Sequence, residues 1–380
     1  MPVAENVRVR VLWLAKGLGP GGMERLLLSH AHFGDHTTFT YEAAYLRPDK
    51  QHLVPELAAG GVTAHCLYAT SPYDVRWAMR LRRMLRMHQI DVLHVHSPIV
   101  AAIARLVSRT LSPRPKVIYT EHNVWPSYNA PTRWANRLTF RLDDVHVAVS
   151  EEVRASVPPR LQNTVETVIH GIDVQAVRAH SSDRSSVRRE LGVDDNTVLI
   201  GIVANFREEK AYPDLLAAAR LVIDQCPCVQ FISVGQGPLE AEIRLEHDRL
   251  GLGHRFRFMG YRNDAQRVMA ALDVFTLSSR FEGLPVTLME ARALGLPVVV
   301  TNVGGLPAYV SDGVDGLLVP PGQPRRLAEA LTRIAMDLPL RMAMASASAA
   351  IAETFDARIA TARLEELYLQ AVSGTRPARR

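Results

Sequence analysis

Short apolar runs recur along this chain, and between them apolar residues return every three or four positions. The first pattern reads as buried strand and the second as amphipathic helix. In the first half, VRVRVLWLA predicts a strand, GGMERLLLSHAHF a helix and TFTYEAAYL another strand; DVLHVHS, KVIYTEH and DDVHVAVS predict further buried strands. DVRWAMRLRRMLRMHQ reads as a helix, with Trp77, Leu81, Met84, Leu85 and His88 at helical spacing and Arg76, Arg80, Arg82, Arg83 and Arg86 over the remainder. Strands alternating with helices make a parallel sheet covered on both faces, and ligands of such sheets bind beyond the carboxyl ends of the strands. Those ends carry Lys16, His96, Ser97, Glu121, His122 and Ser150.

After VETVIHGIDV comes AHSSDRSSVRRELGVDDN, polar enough to read as a link between domains. The alternation then restarts. TVLIGIVANF, VQFISVG, RFRFMGY, LDVFTLSS, PVVVTNVGG and DGLLVPPG predict strands, separated by helical stretches such as DLLAAARLVIDQ and LEAEIRLEHDRLG. The expected fold class is therefore α/β, with two Rossmann-like doubly wound domains facing a central cleft. The expected boundaries are 1–178 and 179–354, then a terminal helix over 355–372 packing back on the first domain, then a disordered tail over 373–380.

Composition fits this picture and narrows the function. The 380 residues are 47% hydrophobic and 22% charged, as in a soluble globular protein large enough for two cores. The sequence has no apolar run long enough to span a bilayer, and MPVAENVRVRVLWLA lacks the layout of a secretory signal, so a cytoplasmic protein is expected. Cys66, Cys226 and Cys228 match neither a redox nor a zinc spacing. The basic excess lies in the first half: residues 1–178 hold 21 Lys and Arg against 15 Asp and Glu, the remainder 23 against 24. The arginine-rich helix is either a solvated face or a surface for anionic lipid or an anionic acceptor.

KGLGPGGMER places Gly17, Gly19 and Gly22 in the pattern of a dinucleotide-binding loop. That chemistry needs an acid at the end of the second strand. Glu42 falls too early in its strand and Asp49 lies beyond a proline, while Pro20 removes an N–H from the loop, so hydride transfer is disfavoured. What remains is a loop entering a helix N-terminus, a place that favours an anion.

FEGLPVTLMEARALGLP holds two glutamates. Pro285 suits a helix start and Gly295 followed by Pro297 a stop, so a helix is expected from about 285 to 294. Glu282 would then stand in the preceding loop beside the N–H groups of Gly283 and Leu284, able to grip sugar hydroxyls. Glu290 would lie inside an apolar helix, with Arg292 the only other charge between Val286 and Leu296, and needs a committed partner: ribose hydroxyls or a basic side chain. VANFREEKAYPDLLAA puts Arg207 and Lys210 between a strand and a helix, a clamp suited to two phosphates, and SVGQGPLE adds a turn at Gly235 and Gly237.

The ordered series VANFREEK, VGQGPLE, FMGY, LDVFTLSSRFEGLPVTLMEA, GLPVVVTNVGG and DGLLVPPG closely resembles the retaining glycosyltransferases of family 4, which have the GT-B architecture; GGMER, DVLHVHS, TEHN, AVSEEV and HGIDV extend the likeness through the first half. The resemblance implies a nucleotide-sugar donor in the second domain and an acceptor in the first. It assigns Glu282 to the donor sugar, Glu290 to the nucleotide ribose, Arg207 and Lys210 to the diphosphate, and His122 to the neighbourhood of the reacting sugar. Gly21 and Gly22 would line the donor or acceptor pocket. Gly283, Leu284, Pro285 and Gly235 would complete the donor site, and Met259, Tyr261 and Arg262 would meet the base through backbone groups. His96, Glu121 and Asn123 are candidates for acceptor contacts. The chain departs from the family pattern at Asn205, where Arg is more common, at Ala211 in place of Gly, at His170 in place of Asn and at Ala308 in place of Glu. There is no D-x-D and no cluster of metal-ligand spacing, so no metal or other cofactor is expected. The acceptor would be a saccharide, a lipid-linked sugar or a small molecule, with peripheral contact to an anionic membrane at its inner face and no nucleic-acid partner. A GT-B epimerase or phosphorylase, or an inactive sugar-nucleotide-binding protein, stands as the alternative.

Overall fold

The computed structural model describes residues 8–19, 22–70 and 74–374. They form two compact units, residues 1–171 with 357–380 and residues 172–356. The first unit holds seven parallel strands: β1 Val9–Ala15, β2 Phe39–Tyr45, β3 Thr63–Cys66, β4 Val92–Val95, β5 Lys116–Glu121, β6 Val145–Ala148 and β7 Val165–Thr167, in the order β3-β2-β1-β4-β5-β6-β7. The second holds six: β8 Val198–Val203, β9 Val229–Val234, β10 Phe256–Phe258, β11 Val274–Leu277, β12 Val298–Thr301 and β13 Gly316–Val319, in the order β10-β9-β8-β11-β12-β13. Sequence order reverses between β1 and β4 and again between β8 and β11, the switch points at which doubly wound sheets bind ligands.

The strands are continuous apolar runs because helices cover both faces. Leu12, Leu14 and Ala44 pack toward one layer and Val11, Trp13 and Ala43 toward the other, all at most 1% exposed. β3 and β7, at the two edges of the first sheet, had no strand expectation. Both are short, and VTAHC and VETV carry too few apolar residues for a periodicity to show.

The polar stretch read as a link is instead part of the second unit. It forms a 3-10 turn, His180–Asp183, and a helix, Arg184–Glu190. Its arginines converge on Asp273: Arg184 Nη2 lies 2.5 Å from Oδ1 and Arg188 Nη1 3.0 Å from Oδ2, while the second Asp273 oxygen also accepts the Leu199 N–H. Arg188 further donates to the carbonyls of Ala271, Asp194 and Thr197. Charges that looked solvated along the sequence converge on one aspartate, with Arg188 buried and Arg184 partly exposed, and the unit begins at Ile172 rather than after residue 178.

At its other end the second unit stops at Asp356, beside Ile172, whose N–H donates to the Phe355 carbonyl. The last helix, Ala357–Ser373, belongs to the first unit. Leu367 and Tyr368 are fully buried there, and Glu365 accepts from the Tyr41 hydroxyl and the Asp35 N–H. The residues expected to be a disordered tail are helical at Ser373 and otherwise lie, from 375 on, outside the described residues.

Arg188 is 5% exposed and ties four acceptors, whereas the Arg184 side chain is 39% exposed. Arg188→Ala is therefore expected to lower unfolding free energy by about 3 kcal/mol, and Arg184→Ala by under about 1 kcal/mol. Urea titration of the two variants beside the parent measures the difference.

Candidate active site

In the second unit, the loops leaving β8 and β11 flank the switch point. The β8 loop turns through a 3-10 segment, Glu208–Lys210, into the helix Tyr212–Gln225. Ala211 joins them at φ 48°, ψ 48°, a left-handed conformation that disfavours a side chain. The backbone here keeps the shape for which glycine is the ordinary residue, although alanine occupies it. That turn delivers Lys210 to Glu282 of the β11 loop, with Nζ 2.6 Å from Oε1. The same oxygen accepts from the Ser279 hydroxyl at 2.6 Å, the Ser278 hydroxyl holds the Lys210 carbonyl at 2.8 Å, and the Thr301 hydroxyl holds that of Ser279 at 2.6 Å. Glu282 is 6% exposed, and this lysine and hydroxyl are the partners its burial requires.

The helix expected after Glu282 runs Val286–Ala293, with Pro285 as its N-cap rather than its first residue. Among the described residues no side chain caps it, so its N–H groups face the loop of Glu282, Gly283 and Leu284 with their dipole end positive. A side chain at Gly283 would meet nothing within 4 Å, so the approach to this loop is open. Glu290 lies about 6 Å along the axis from Val286, is 8% exposed and accepts from the Gln266 amide at 2.7 Å. Arg292, the other charge of this helix, is fully buried and binds Asp315 at 2.7 Å, with the Tyr309 and Asp315 carbonyls and the Ser348 hydroxyl.

Backbone bonds knit the remaining loops of this edge. Gly235 donates to the Gly260 carbonyl, Phe206 to Gln236, and Met259 to Ser233. Gly235 has φ 154°, and a Cβ there would stand 2.0 Å from the Ala204 carbonyl oxygen, so glycine is required for the β8 and β9 loops to meet. Tyr261 is exposed, and Arg262 is held by Asp264 through two 2.7 Å bonds. Arg207 is exposed and lines, with Arg280, Tyr212 and Glu242, an open groove of about 320 Å³ that Lys210 does not line.

In the first unit, strand alternation sorts the expected acceptor residues. Thr120 and His122 face a small apolar cavity of about 50 Å³ that Trp13, Leu27, His30, His94, His96 and the last helix also line. His96 Nδ1 lies 3.1 Å from His122 Nε2, and His94 spans the Tyr368 and Thr120 hydroxyls at 2.7 Å each. Burial pushes His94, His96 and His122 well below the ordinary histidine range, with neighbouring histidines adding to it. His30 is lowered to about 3, burial first and His36 second. Glu365 stands 3.8 Å from its Nε2, too far to hydrogen-bond, so burial prevails. Glu121 turns to the opposite face. At 1% exposure it accepts from the hydroxyls of Tyr119 and Tyr128 and the Asn136 amide, and burial raises its pKa. This corrects the expectation of an acceptor contact: Glu121 is an internal anchor. Asn123 is exposed at the loop surface. Gly22 begins the helix Gly22–Phe33, and Gly21 lies outside the described residues.

Sequence reasoning passed over Ser279, Thr301, Gln266, His94 and Tyr368. Ser279 could have been found, since it sits in the same run as Glu282. Gln266 and Tyr368 reach their partners across 24 and 274 residues, and no local pattern announces them.

Two Rossmann-like units with a carboxylate–lysine pair at the second switch point define the GT-B class, and comparison with known proteins agrees. A family model described as Glycosyltransferase Family 4 matches residues 20–176, and one described as Glycosyl transferases group 1 matches residues 197–337. The chain belongs to the family 4 glycosyltransferases. It is 25% identical over 316 residues to the N-acetyl-alpha-D-glucosaminyl L-malate synthase of Bacillus anthracis, covering 81% of this chain and 82% of that one. It is 23% identical over 313 residues to the UDP-Gal:alpha-D-GlcNAc-diphosphoundecaprenol alpha-1,3-galactosyltransferase of Escherichia coli, covering 79% and 80%. Its fold matches crystal structures of Anabaena Alr3699/HepE, with a TM-score of 0.83 at 22% identity over 95% of this chain and 100% of that one.

The buried histidines set an acid limit on the first unit. Their folded pKa values lie below the unfolded value of about 6.5, so above pH 6.5 both states are neutral and stability is intact. Below it the unfolded chain takes up protons that the folded unit refuses, and stability is lost down to pH about 3 for His30, at up to about 1.4 kcal/mol per pH unit for each histidine. Melting temperature should therefore fall between pH 6.5 and 4.5, and less steeply in His30→Leu; calorimetry across that range is the check.

Proposed function

We propose that this protein transfers a glycosyl group from a UDP- or GDP-sugar to a saccharide, lipid-linked or small-molecule acceptor, with retention at the anomeric carbon and without a catalytic metal, in polysaccharide or glycoconjugate assembly. The observation that carries the reading is the 2.6 Å Lys210–Glu282 pair set before an uncapped helix N-terminus at the switch point of the second sheet. Two relatives lend support to the donor class: the Escherichia coli enzyme is named for UDP-Gal, and the Anabaena protein has been crystallised with UDP-glucose.

In this reading the bond between the anomeric carbon and the diphosphate oxygen breaks, and its electron pair leaves with the diphosphate. Lys210 and the helix N-terminus take up that charge, which is the work a divalent ion would otherwise do. The acceptor oxygen forms its bond on the same face, and its proton passes to the departing phosphate oxygen. Glu282 already accepts from Lys210 and Ser279, which suits it to orient the cation and receive a sugar hydroxyl rather than to attack carbon. Glu290, steadied by Gln266, takes the ribose hydroxyls, and backbone groups from Met259 to Arg262 meet the base. Neutral His122 offers a hydrogen bond to the sugar rather than a charge.

A lipid-linked acceptor would bring the protein to a membrane. Among the described residues no helix is long and apolar enough to cross one. On the arginine-rich helix, Arg76 is held by Asp74, Arg80 by the Leu67 and Tyr68 carbonyls, and Arg82 by Thr110, so that face is largely engaged within its own unit. The helix Ala130–Thr139 is better suited: Trp134 is 62% and Leu138 74% exposed, with Arg133, Arg137 and Arg141 exposed beside them.

Lys210→Ala is expected to lower kcat by about 10²-fold or more, with the circular dichroism spectrum unchanged. Glu290→Ala should mainly raise the donor KM, and unchanged donor affinity would remove its ribose assignment. EDTA should leave the initial rate intact; loss of rate restored by Mg²⁺ or Mn²⁺ contradicts the metal-free mechanism. A thermal-shift screen of UDP-, GDP-, ADP- and CDP-sugars identifies the donor, and no stabilisation by any of them would overturn the proposal. In flotation with anionic vesicles, Trp134→Ala with Leu138→Ala should reduce binding several-fold.

A further inference from the structure

Glu42, weighed and set aside as a ribose ligand, has another use. Its side chain rises from the face of β2 that carries Ala44 and Leu46, toward the helix Arg76–Met87. His65 on the edge strand β3 pairs opposite Ala44, and so stands on the same face, one diagonal step from Glu42. His88 is the C-cap of that helix. All three meet at one atom: His65 Nε2 is 2.9 Å and His88 Nδ1 2.7 Å from Glu42 Oε2. One ligand atom from each lies within 4.8 Å of the others, and the two rings stand nearly perpendicular, at 86°.

We propose that Glu42, His65 and His88 form a binding site for a divalent transition-metal ion, with Zn²⁺ as the best fit. Two imidazoles and one carboxylate are a donor set that zinc favours, and in a tetrahedral site with bonds of about 2.0–2.1 Å the ligands stand about 3.4 Å apart. The two nitrogens stand 2.9 and 2.7 Å from the carboxylate oxygen and all three donor atoms lie within 4.8 Å of one another, so an ion can enter by rotation of side chains at a helix end and a sheet edge. Each ring now directs one nitrogen at the carboxylate. On binding, that nitrogen presents its lone pair to the ion, and the proton resides on the ring's other nitrogen. The side chains are 18–33% exposed, which leaves an entry path and room for water in the remaining position.

Neighbouring groups are compatible with the ion. The nearby Arg10 guanidinium is occupied by Gln89 Oε1 at 2.8 Å and the His88 carbonyl at 3.1 Å, so it fixes the backbone of a ligand rather than competing for the carboxylate. Asp91 accepts the Arg10 N–H. The ion would join β2, edge strand β3 and the end of the helix that follows it, three segments whose ligands are 23 residues apart in each step. The site lies in the first unit and has no part in the Lys210–Glu282 chemistry; its role would be to fasten an edge.

The test uses the full chain, stripped of metal by chelation and desalted, with Zn²⁺ alone as titrant in calorimetry and Co²⁺ as a spectroscopic probe. The expected result is one Zn²⁺ per chain at micromolar Kd or tighter, visible Co²⁺ bands of a tetrahedral site, and a rise in melting temperature with Zn²⁺. His65→Ala and Glu42→Gln should each weaken Zn²⁺ at least tenfold and abolish that rise, whereas His254→Ala, on an exposed turn, should not. Binding of Zn²⁺ that neither substitution weakens, or no binding by the parent beyond that of a variant carrying both His65→Ala and Glu42→Gln, overturns the proposal. Circular dichroism of the variants confirms that a lost site is not a lost fold, and none of these readouts depends on glycosyl transfer.

Discussion

In a parallel sheet every loop leaving a carboxyl end emerges along one edge, and the reversal of order between β8 and β11 parts two neighbouring loops there. Lys210 and Glu282 meet across that gap, and the rest of the donor edge depends on their doing so. A carboxylate at 6% exposure must find a cation and a donor, and a left-handed residue at 211 aims the lysine that supplies the charge. The hydroxyls of Ser278, Ser279 and Thr301 fix both loops from behind, so the pair is held by several short bonds rather than by one flexible side chain. In the proposed reaction, such preorganisation would let a fixed positive charge stabilise a departing diphosphate at little reorganisation cost.

The first unit solves a different problem. Its cavity is lined by histidines that stay neutral because burial opposes their charge, and His94, His96 and His122 find partners that a neutral ring can use: a second histidine, a threonine and a tyrosine. The tyrosine is Tyr368, from a helix that begins after the second unit has been completed. The last helix is therefore not an appendage: it supplies Ala357, Ala360, Thr361 and Leu364 to the cavity wall and a hydroxyl to His94. Loss of that helix would open the core of the first sheet and strand a buried imidazole.

Three buried arginines are handled in the same way. Arg188 and Asp273, Arg292 and Asp315, and Arg105 and Asp143 are each closed pairs with further carbonyl or hydroxyl partners. The first of these pairs explains where the linear reading went astray: the serine- and arginine-rich stretch from residue 179 was polar because its arginines were destined for Asp273.

By itself the sequence determined the alternation of strands and helices, the restart of the pattern in the second half, the helix after Pro285 and the grouping of Lys210, Glu282 and Glu290 at one sheet edge. All of these follow from local periodicity, from proline and glycine punctuation, and from the rule that parallel strands share a direction. Only the tertiary structure decided which face of β5 would hold Glu121, which partner Arg292 would choose, and that Gln266 would steady Glu290. It also decided that Glu42, His65 and His88 would converge. Each of these turns on contacts between residues far apart in the chain, where the choice of partner is set by burial and strand register, and neither quantity exists until the sheets have formed.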